Sequence, residues 1–194
     1  MTLTLRELRG EAVAPHLDAL AALRIAVFRD WPYLYDGDAA YERDYLAAYR
    51  TPGSLVVGAF DGERLVGAAT AAPMEQHRGD FARAFAGTGR DLEEIYYLAE
   101  SVLLPDWRGN GLGHAFFAAR EAEGRRQGRR FAAFCSVIRP DDHPDRPDGA
   151  RSHDAFWRGR GYVPLPGVVA RFDWRDVGAG AETTKRLQFW GKDL

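Results

Sequence analysis

Residues 95–128 read IYYLAESVLLPDWRGNGLGHAFFAAREAEGRRQG, and three patterns follow one another in them. Ile95 to Leu104 is apolar and rich in β-branched and aromatic side chains, as a buried strand is. Pro105 and Asp106 end it. Arg108-Gly109-Asn110-Gly111-Leu112-Gly113 predicts a tight loop. From Leu112 the apolar positions Leu112, Ala115, Phe116, Ala119 and Ala122 fall at helical spacing.

A glycine loop between a strand and a helix makes an anion site. Without Cβ atoms it can bring backbone N–H groups against a ligand. The helix start adds unpaired N–H groups and the positive end of its dipole. A pyrophosphate fits there. Walker A needs Gly-Lys-Ser/Thr, and Gly113 is followed by His114. The dinucleotide fingerprint needs a glycine three residues after Gly111, where His114 stands.

Outward from this stretch, Thr2 to Leu8 alternates as a strand. Ala14-Pro15 opens a helix with apolar Leu17, Leu20, Leu23, Ile25, Val27 and Phe28, ended by Trp31-Pro32-Tyr33. Asp38 to Tyr49 is a second helix. Ser54–Phe60 and Arg64–Ala72 are strands joined by the hairpin signal Asp61-Gly62-Glu63. Residues 73–94 break the rhythm and read as an insert or lid with a short helical piece, Asp80 to Phe85. After the central stretch come a strand (Arg130–Ile138), a Pro/Asp-rich loop (Pro140–Arg151), a short helix (Ser152–Gly159) and two closing strands (Val168–Trp174, Thr183–Trp190). A single α/β domain over residues 1–194 is expected.

The loop matches the pattern Arg/Gln-x-x-Gly-x-Gly/Ala, with Arg108, Gly111 and Gly113 in the set positions. It resembles the acyl-CoA loop of the GNAT acyltransferase superfamily. Phe156-Trp157-Arg158-Gly159-Arg160-Gly161-Tyr162 resembles that family's second signature, Phe-Tyr-x-x-x-Gly-Phe, and the order β-α-α-β-β-insert-β-α-β-α-β-β is the family's order. The resemblance implies a twisted, mostly antiparallel sheet whose two central strands splay apart to admit acyl-CoA. Backbone of Val102, Leu103 and Leu104 would line the pantetheine. Arg108, Gly109, Asn110, Gly111, Leu112 and Gly113 would cradle the pyrophosphate. The strand Phe131–Ile138 would form the other lip, and the helix carrying Ser152 and Trp157 would flank the thiol end.

The implied reaction is acetyl transfer from acetyl-CoA to a primary amine, by direct attack in a ternary complex. A backbone N–H near Leu103 could donate to the oxyanion. An alkylamine is neutral in only about one part in a thousand at pH 7, so its proton must be removed, at about 4–5 kcal/mol. Glu100, inside an apolar strand, is the first candidate base. Alternation puts it on the face of Tyr96 and Val102; the competing reading is a carboxylate held by an arginine of a neighbouring strand. Glu94 and Glu93 could act through water, and His153 and Asp154 are further options, with Ser152 as helix N-cap. Where the family often has an acidic tyrosine, this chain has Trp157. Ser136 and Tyr162 are possible donors, or the thiolate leaves unaided. Cys135 reads as a small apolar filler. Arg125, Arg126, Arg129 and Arg130 either meet the 3′-phosphate of CoA or complement the helix dipole.

Arg24, Phe28, Trp31, Tyr33 and Tyr35 bunch where the family's acceptor pocket lies, as acceptor contacts or as packing. Acids of the insert and its end (Glu75, Asp80, Glu93, Glu94) would favour a positive acceptor and Arg24 a carboxylate, so a small amine, an amino acid and a peptide terminus all stay open. A second class of reading is a CoA-binding sensor without turnover, suggested by Trp157. O-acyl transfer is a third.

The 194 residues are 46% hydrophobic with net charge −2, which argues against nucleic acid or an anionic membrane as partner. Asp141, Asp142, His143, Asp145 and His153 have no recognised ligand spacing, so no metal is expected. One cysteine, no h-region in MTLTLRELRGE and no long apolar run lead to the expectation of a cytoplasmic protein. Phe172, Trp174, Phe189 and Trp190 pack either in the core or across a homodimer.

Overall fold

The structure is a computed structural model that describes residues 3–77 and 79–194, and the backbone alone of Asp80; Thr2 of the first expected strand and the Asp80 carboxylate lie outside the described residues. Seven strands form one sheet: β1 (Leu3–Leu8), β2 (Leu55–Asp61), β3 (Arg64–Pro73), β4 (Ile95–Leu103), β5 (Phe131–Val137), β6 (Val163–Arg175) and β7 (Glu182–Asp193). Their spatial order is β1-β2-β3-β4-β5-β7-β6. All neighbours are antiparallel except β4 and β5.

Helices α1 (Leu17–Phe28), α2 (Ala39–Ala47) and α3 (Asp80–Arg83) cover one face, and α4 (Leu112–Arg126) and α5 (Asp154–Gly159) the other. A 3-10 turn over Gly10–His16 precedes α1, so Pro15 sits before the α-helix rather than opening it. Asp38 caps α2 by accepting from the Tyr41 N–H at 2.8 Å. The β2–β3 hairpin turns at Gly62, whose φ of 61° suits glycine. Segment 73–94 holds α3 and packs Ala82 and Phe85 into the core beside β5, β6 and β7.

Two irregularities of β4 shape the centre. Its parallel pairing with β5 covers only Ile95–Tyr97 against Phe131–Ala133. Beyond those residues β4 runs on to Leu103 and β5 to Val137 without pairing, which leaves a wedge-shaped gap. On its other side the register passes from Ala72↔Tyr97 to Thr70↔Glu100. Three steps of β4 oppose two of β3, a bulge at Leu98–Ala99. The extra residue reverses the alternation expected for Glu100. Glu100 still shares a face with Val102, but Tyr96 is on the opposite one, packed with Phe117 of α4.

Arg120 of α4 reaches under this bulge. The residue is 1% exposed, and its guanidinium donates to the carbonyls of Thr70 (3.2 Å) and Glu100 (3.0 Å), to Ser101 Oγ (2.7 Å) and to the carbonyl of Phe116 of its own helix (3.1 Å). Burial holds its pKa down to about 10. The buried face of α4 thus differs from the apolar positions read in the sequence. It runs Leu112, Phe116, Phe117, Arg120, Glu121, Glu123 and Gly124, whereas Ala122 is exposed and Ala115 and Ala119 only half-buried. The charged residues stay inside because each has a partner: Glu121 with Arg160 and Lys192, Glu123 with Arg9 and Arg126.

Candidate active site

After Leu103 a 3-10 turn (Pro105–Trp107) lifts the chain off β4. Gly109 and Gly111 then take left-handed φ values of 82° and 76°. A Cβ on either would meet nothing within 4 Å, so the loop presents open backbone. Arg108 Nε donates to the Leu103 carbonyl at 3.1 Å and Asn110 Nδ2 to the Trp107 carbonyl at 3.2 Å, bracing the loop against the strand end. Gly111 is the N-cap of α4, and no side chain caps the helix. The N–H groups of Leu112, Gly113 and His114 therefore project from the positive end of the dipole. Gly113 lets α5 come close: a Cβ there would stand 3.4 Å from the Phe156 ring. An uncapped helix start behind an open glycine loop fits a pyrophosphate.

The gap between β4 and β5 runs from this loop through the sheet. The Leu104 N–H is taken by Val66 of β3 at 3.0 Å. Strand alternation then turns the Leu103 N–H the other way, into the gap. Val102 faces α1, and the Leu103 side chain faces α4.

On the far face the gap meets a cleft to which both unpaired strand stretches contribute, Glu100 from β4 and Cys135 from β5. Arg24 and Phe28 of α1, Tyr33 and Tyr35 of the following turn, Glu42 and Tyr45 of α2, Phe81 of α3, Tyr97 and Glu100 of β4, Cys135 of β5, and Phe172 and Trp174 of β6 all line it. Arg24 is clasped by two carboxylates. Its Nε donates to Glu42, and its Nη1 lies 2.5 Å from Glu100 Oε1. The other Glu100 oxygen accepts from Tyr45 at 3.1 Å, and Tyr45 touches Tyr49 at 3.1 Å. Burial works against the Arg24 cation, yet Glu100, Tyr45 and Glu42 together hold its pKa well above the usual value. Burial first, and Glu100 second, push Tyr45 and Tyr49 up, so both stay protonated at neutral pH. The Arg24 guanidinium lies over the rings of Phe28 (5.0 Å) and Tyr45 (4.6 Å).

Of the residues anticipated on the acceptor side, Arg24, Phe28, Tyr33 and Tyr35 meet here, and Trp31 does not; its ring packs on His143 instead. Glu94 stands at the opposite end of β4, paired with Arg130 at 3.3 Å and six strand residues, about 20 Å, from Glu100. Glu93 lies beside it, exposed. Ser136 follows Phe134 onto the α4/α5 face, across the sheet from Glu100, while Cys135 turns toward the cleft. Burial pushes the Cys135 thiol up to about 12, which suits a filler. Tyr162 is fully buried and donates to Glu121 at 3.0 Å, away from the gap.

The N-cap of α5 is His153 rather than Ser152. Ser152 Oγ accepts from the Asp154 N–H at 2.9 Å, and burial, then Arg108, lowers the His153 pKa. Trp157 packs its indole between Phe134 and Trp190, centroids at 5.0 and 5.1 Å. Arg126, Arg129 and Arg130 pair with Glu123, Glu75 and Glu94. They lie at the far end of α4, about 20 Å from the glycine loop. Trp174, Phe189 and Trp190 are buried within the chain, so they serve its core rather than a dimer face.

Glu42, Tyr45, Tyr97, Phe172 and Trp174 were not anticipated as site residues. A signal for α2 existed: Glu42, Tyr45, Leu46 and Tyr49 share one helical face at spacings of three and four, so Glu42 lies on the apolar side.

Residues 20–146 match the acetyltransferase (GNAT) family. No curated protein matches the sequence. Among solved structures, the ribosomal-protein-alanine N-acetyltransferase of Brucella melitensis superposes with a TM-score of 0.65 at 18% identity, over 98% of this chain and 99% of its own. The phosphinothricin acetyltransferase of Sinorhizobium meliloti, in complex with acetyl-CoA, gives 0.61 at 20% identity, over 100% and 89%. The Salmonella typhimurium protein yncA, with its cofactor acetyl-CoA, gives 0.60 at 16%, over 100% and 95%. The fold, the splayed strands and the glycine loop agree with the sequence match: the chain belongs to the GNAT family of acetyltransferases.

Proposed function

We propose that this acetyltransferase uses acetyl-CoA to acetylate a primary amine held in the cleft between α1, α2, β4 and β6, and that residues 1–194 act as one domain with segment 73–94 as a wall of that cleft. The observation that carries the reading is continuity. The open glycine loop follows the end of β4, and Glu100 and Cys135, from the stretches of β4 and β5 that no longer pair with each other, line the aromatic cleft. Acetyl-CoA bound there supplies the activated acyl group and a leaving thiolate.

The protein's part is to bind, orient and manage one proton. Backbone N–H groups from Gly109 to His114 hold the pyrophosphate. The Leu103 N–H stands in the gap, where the acyl oxygen gains charge. Glu100 lies where the cleft meets the gap, and its carboxylate receives the ammonium and its proton. Arg24 and Tyr45 orient it there. Trp157 walls the thiol end and donates no proton. The thiol's ordinary pKa near 8.5 makes a general acid dispensable. The lone buried cysteine suits a reducing compartment such as the cytoplasm, and among the described residues no helix is long and apolar enough to cross a membrane.

The test is acetyl-CoA-dependent thiol release with a panel of amines, with the products identified by mass. Release with an amide product supports the reading. Tight CoA binding without release for any acceptor would favour the sensor instead. A hydroxylamine-labile product would mean O-acylation.

A further inference from the structure

The cleft's chemistry narrows the acceptor, resting on the amine-acetylating function just proposed. We infer that the acceptor is a small primary amine with an apolar, flat body and no carboxylate, recognised as an ammonium ion by Glu42 and Glu100.

Three observations carry this. Among the described residues, the charged side chains lining the cleft are Arg24, Glu42 and Glu100, which sum to one negative charge. His77, close enough to feel Glu100, has its pKa lowered by burial and adds no positive charge at neutral pH. Arg120 lies behind β4, on the opposite face, with its donors already on Thr70, Glu100 and Ser101. A carboxylate entering the cleft would meet Arg24 already engaged by two carboxylates.

Glu42 is fully buried, and the groups that hold its carboxylate are the Arg24 guanidinium and the neutral Tyr35 hydroxyl. A buried carboxylate gains more from a charged donor than from a neutral one, and an ammonium beside it would supply that stronger bond. The walls are also suited to a cation. Phe28 and Tyr45 already hold the Arg24 guanidinium at 5.0 and 4.6 Å, and Phe81, also in the lining, stacks on Phe172 with centroids 5.5 Å apart. Such faces accept a flat apolar body next to a positive charge.

Two matched compounds isolate the carboxylate: phenethylamine and phenylalanine share a body and an amine. The assay is initial-rate thiol release with each, alongside a calorimetric titration of acetyl-CoA. Like-charge placement costs several kcal/mol, so kcat/KM for phenethylamine should exceed that for phenylalanine at least about a hundredfold. Glu42→Gln removes the negative charge but keeps an oxygen for Arg24. It should raise KM for phenethylamine about tenfold or more, with acetyl-CoA affinity unchanged.

Phenylalanine acetylated as well as phenethylamine would overturn the inference, as would an unchanged KM in a folded Glu42→Gln. So would failure of both compounds in a protein that binds acetyl-CoA. Failure of the underlying function reads differently: acetyl-CoA itself does not bind. The wild-type comparison stands even if the variant does not fold.

Discussion

Replacing Arg120 by methionine tests how the β4 bulge is held. The substitution keeps much of the buried stem and removes the guanidinium. Three bonds to other elements are lost, to the carbonyls of Thr70 and Glu100 and to Ser101 Oγ. Bonds from a charged donor contribute about 1.5–3 kcal/mol each, or about 5–9 kcal/mol together. Against this stands the cost of burying the cation. A pKa held at about 10 instead of 12.5 corresponds to roughly 3 kcal/mol that methionine would not bear. The expected net loss is about 2–5 kcal/mol. Urea unfolding at pH 7 measures it. Acetyl-CoA affinity should fall as well, because the freed bulge no longer fixes the direction of β4 along the gap. A loss below about 1 kcal/mol, within the range of an ordinary surface change, would refute the reasoning. Arg120→Lys should recover only part of the loss, since one ammonium cannot span three acceptors fixed by the fork.

Arg24→Met leaves Glu42 and Glu100 buried without their cation and should cost about 3–5 kcal/mol at pH 7. Urea midpoints of the wild type and the variant at pH 7 check this. Glu123, held down to about 2 by Arg126, Gln127 and Arg9 against the effect of burial, contributes stability present above pH 4.5 and lost as pH falls toward 2. Glu123→Gln should therefore cost about 1–3 kcal/mol at pH 7, reduced because Arg126 and Arg9 are exposed to solvent, and clearly less at pH 3.5. Cys135, pushed up to about 12 by burial, should resist a thiol reagent at pH 8 in the native protein and react at once in urea; rapid native labelling would place it outside the core.

The central stretch was legible because three local signals agreed: an apolar run, a glycine loop and a change to helical spacing. The loop from Arg108 to Gly113 could be read as a tight turn with open backbone, since glycine permits the positive φ that Gly109 and Gly111 adopt. The bulge at Leu98–Ala99 was not legible, because it arises from pairing with β3 and from Arg120, a residue about twenty positions away. That is why Glu100 was placed on the face of Tyr96. Its competing reading, a carboxylate held by an arginine, describes the observed contact, although the arginine is Arg24 of a helix rather than of a neighbouring strand. Glu42, Phe172 and Trp174 escaped notice for the same kind of reason: only the folded sheet brings α2 and β6 to one cleft. The apolar stripe misjudged α4 because paired charges replace apolar residues on its buried face.

The most direct test is calorimetric titration of acetyl-CoA into the wild-type protein and into Gly111→Glu. A Cβ at Gly111 meets nothing within 4 Å, so the variant should stay folded, with only about 1–2 kcal/mol of strain from its left-handed φ. It would place a carboxylate where the pyrophosphate belongs. The account predicts saturable one-to-one binding to the wild type and its loss in a folded Gly111→Glu. Equal binding to both proteins, or none to the wild type, would contradict it.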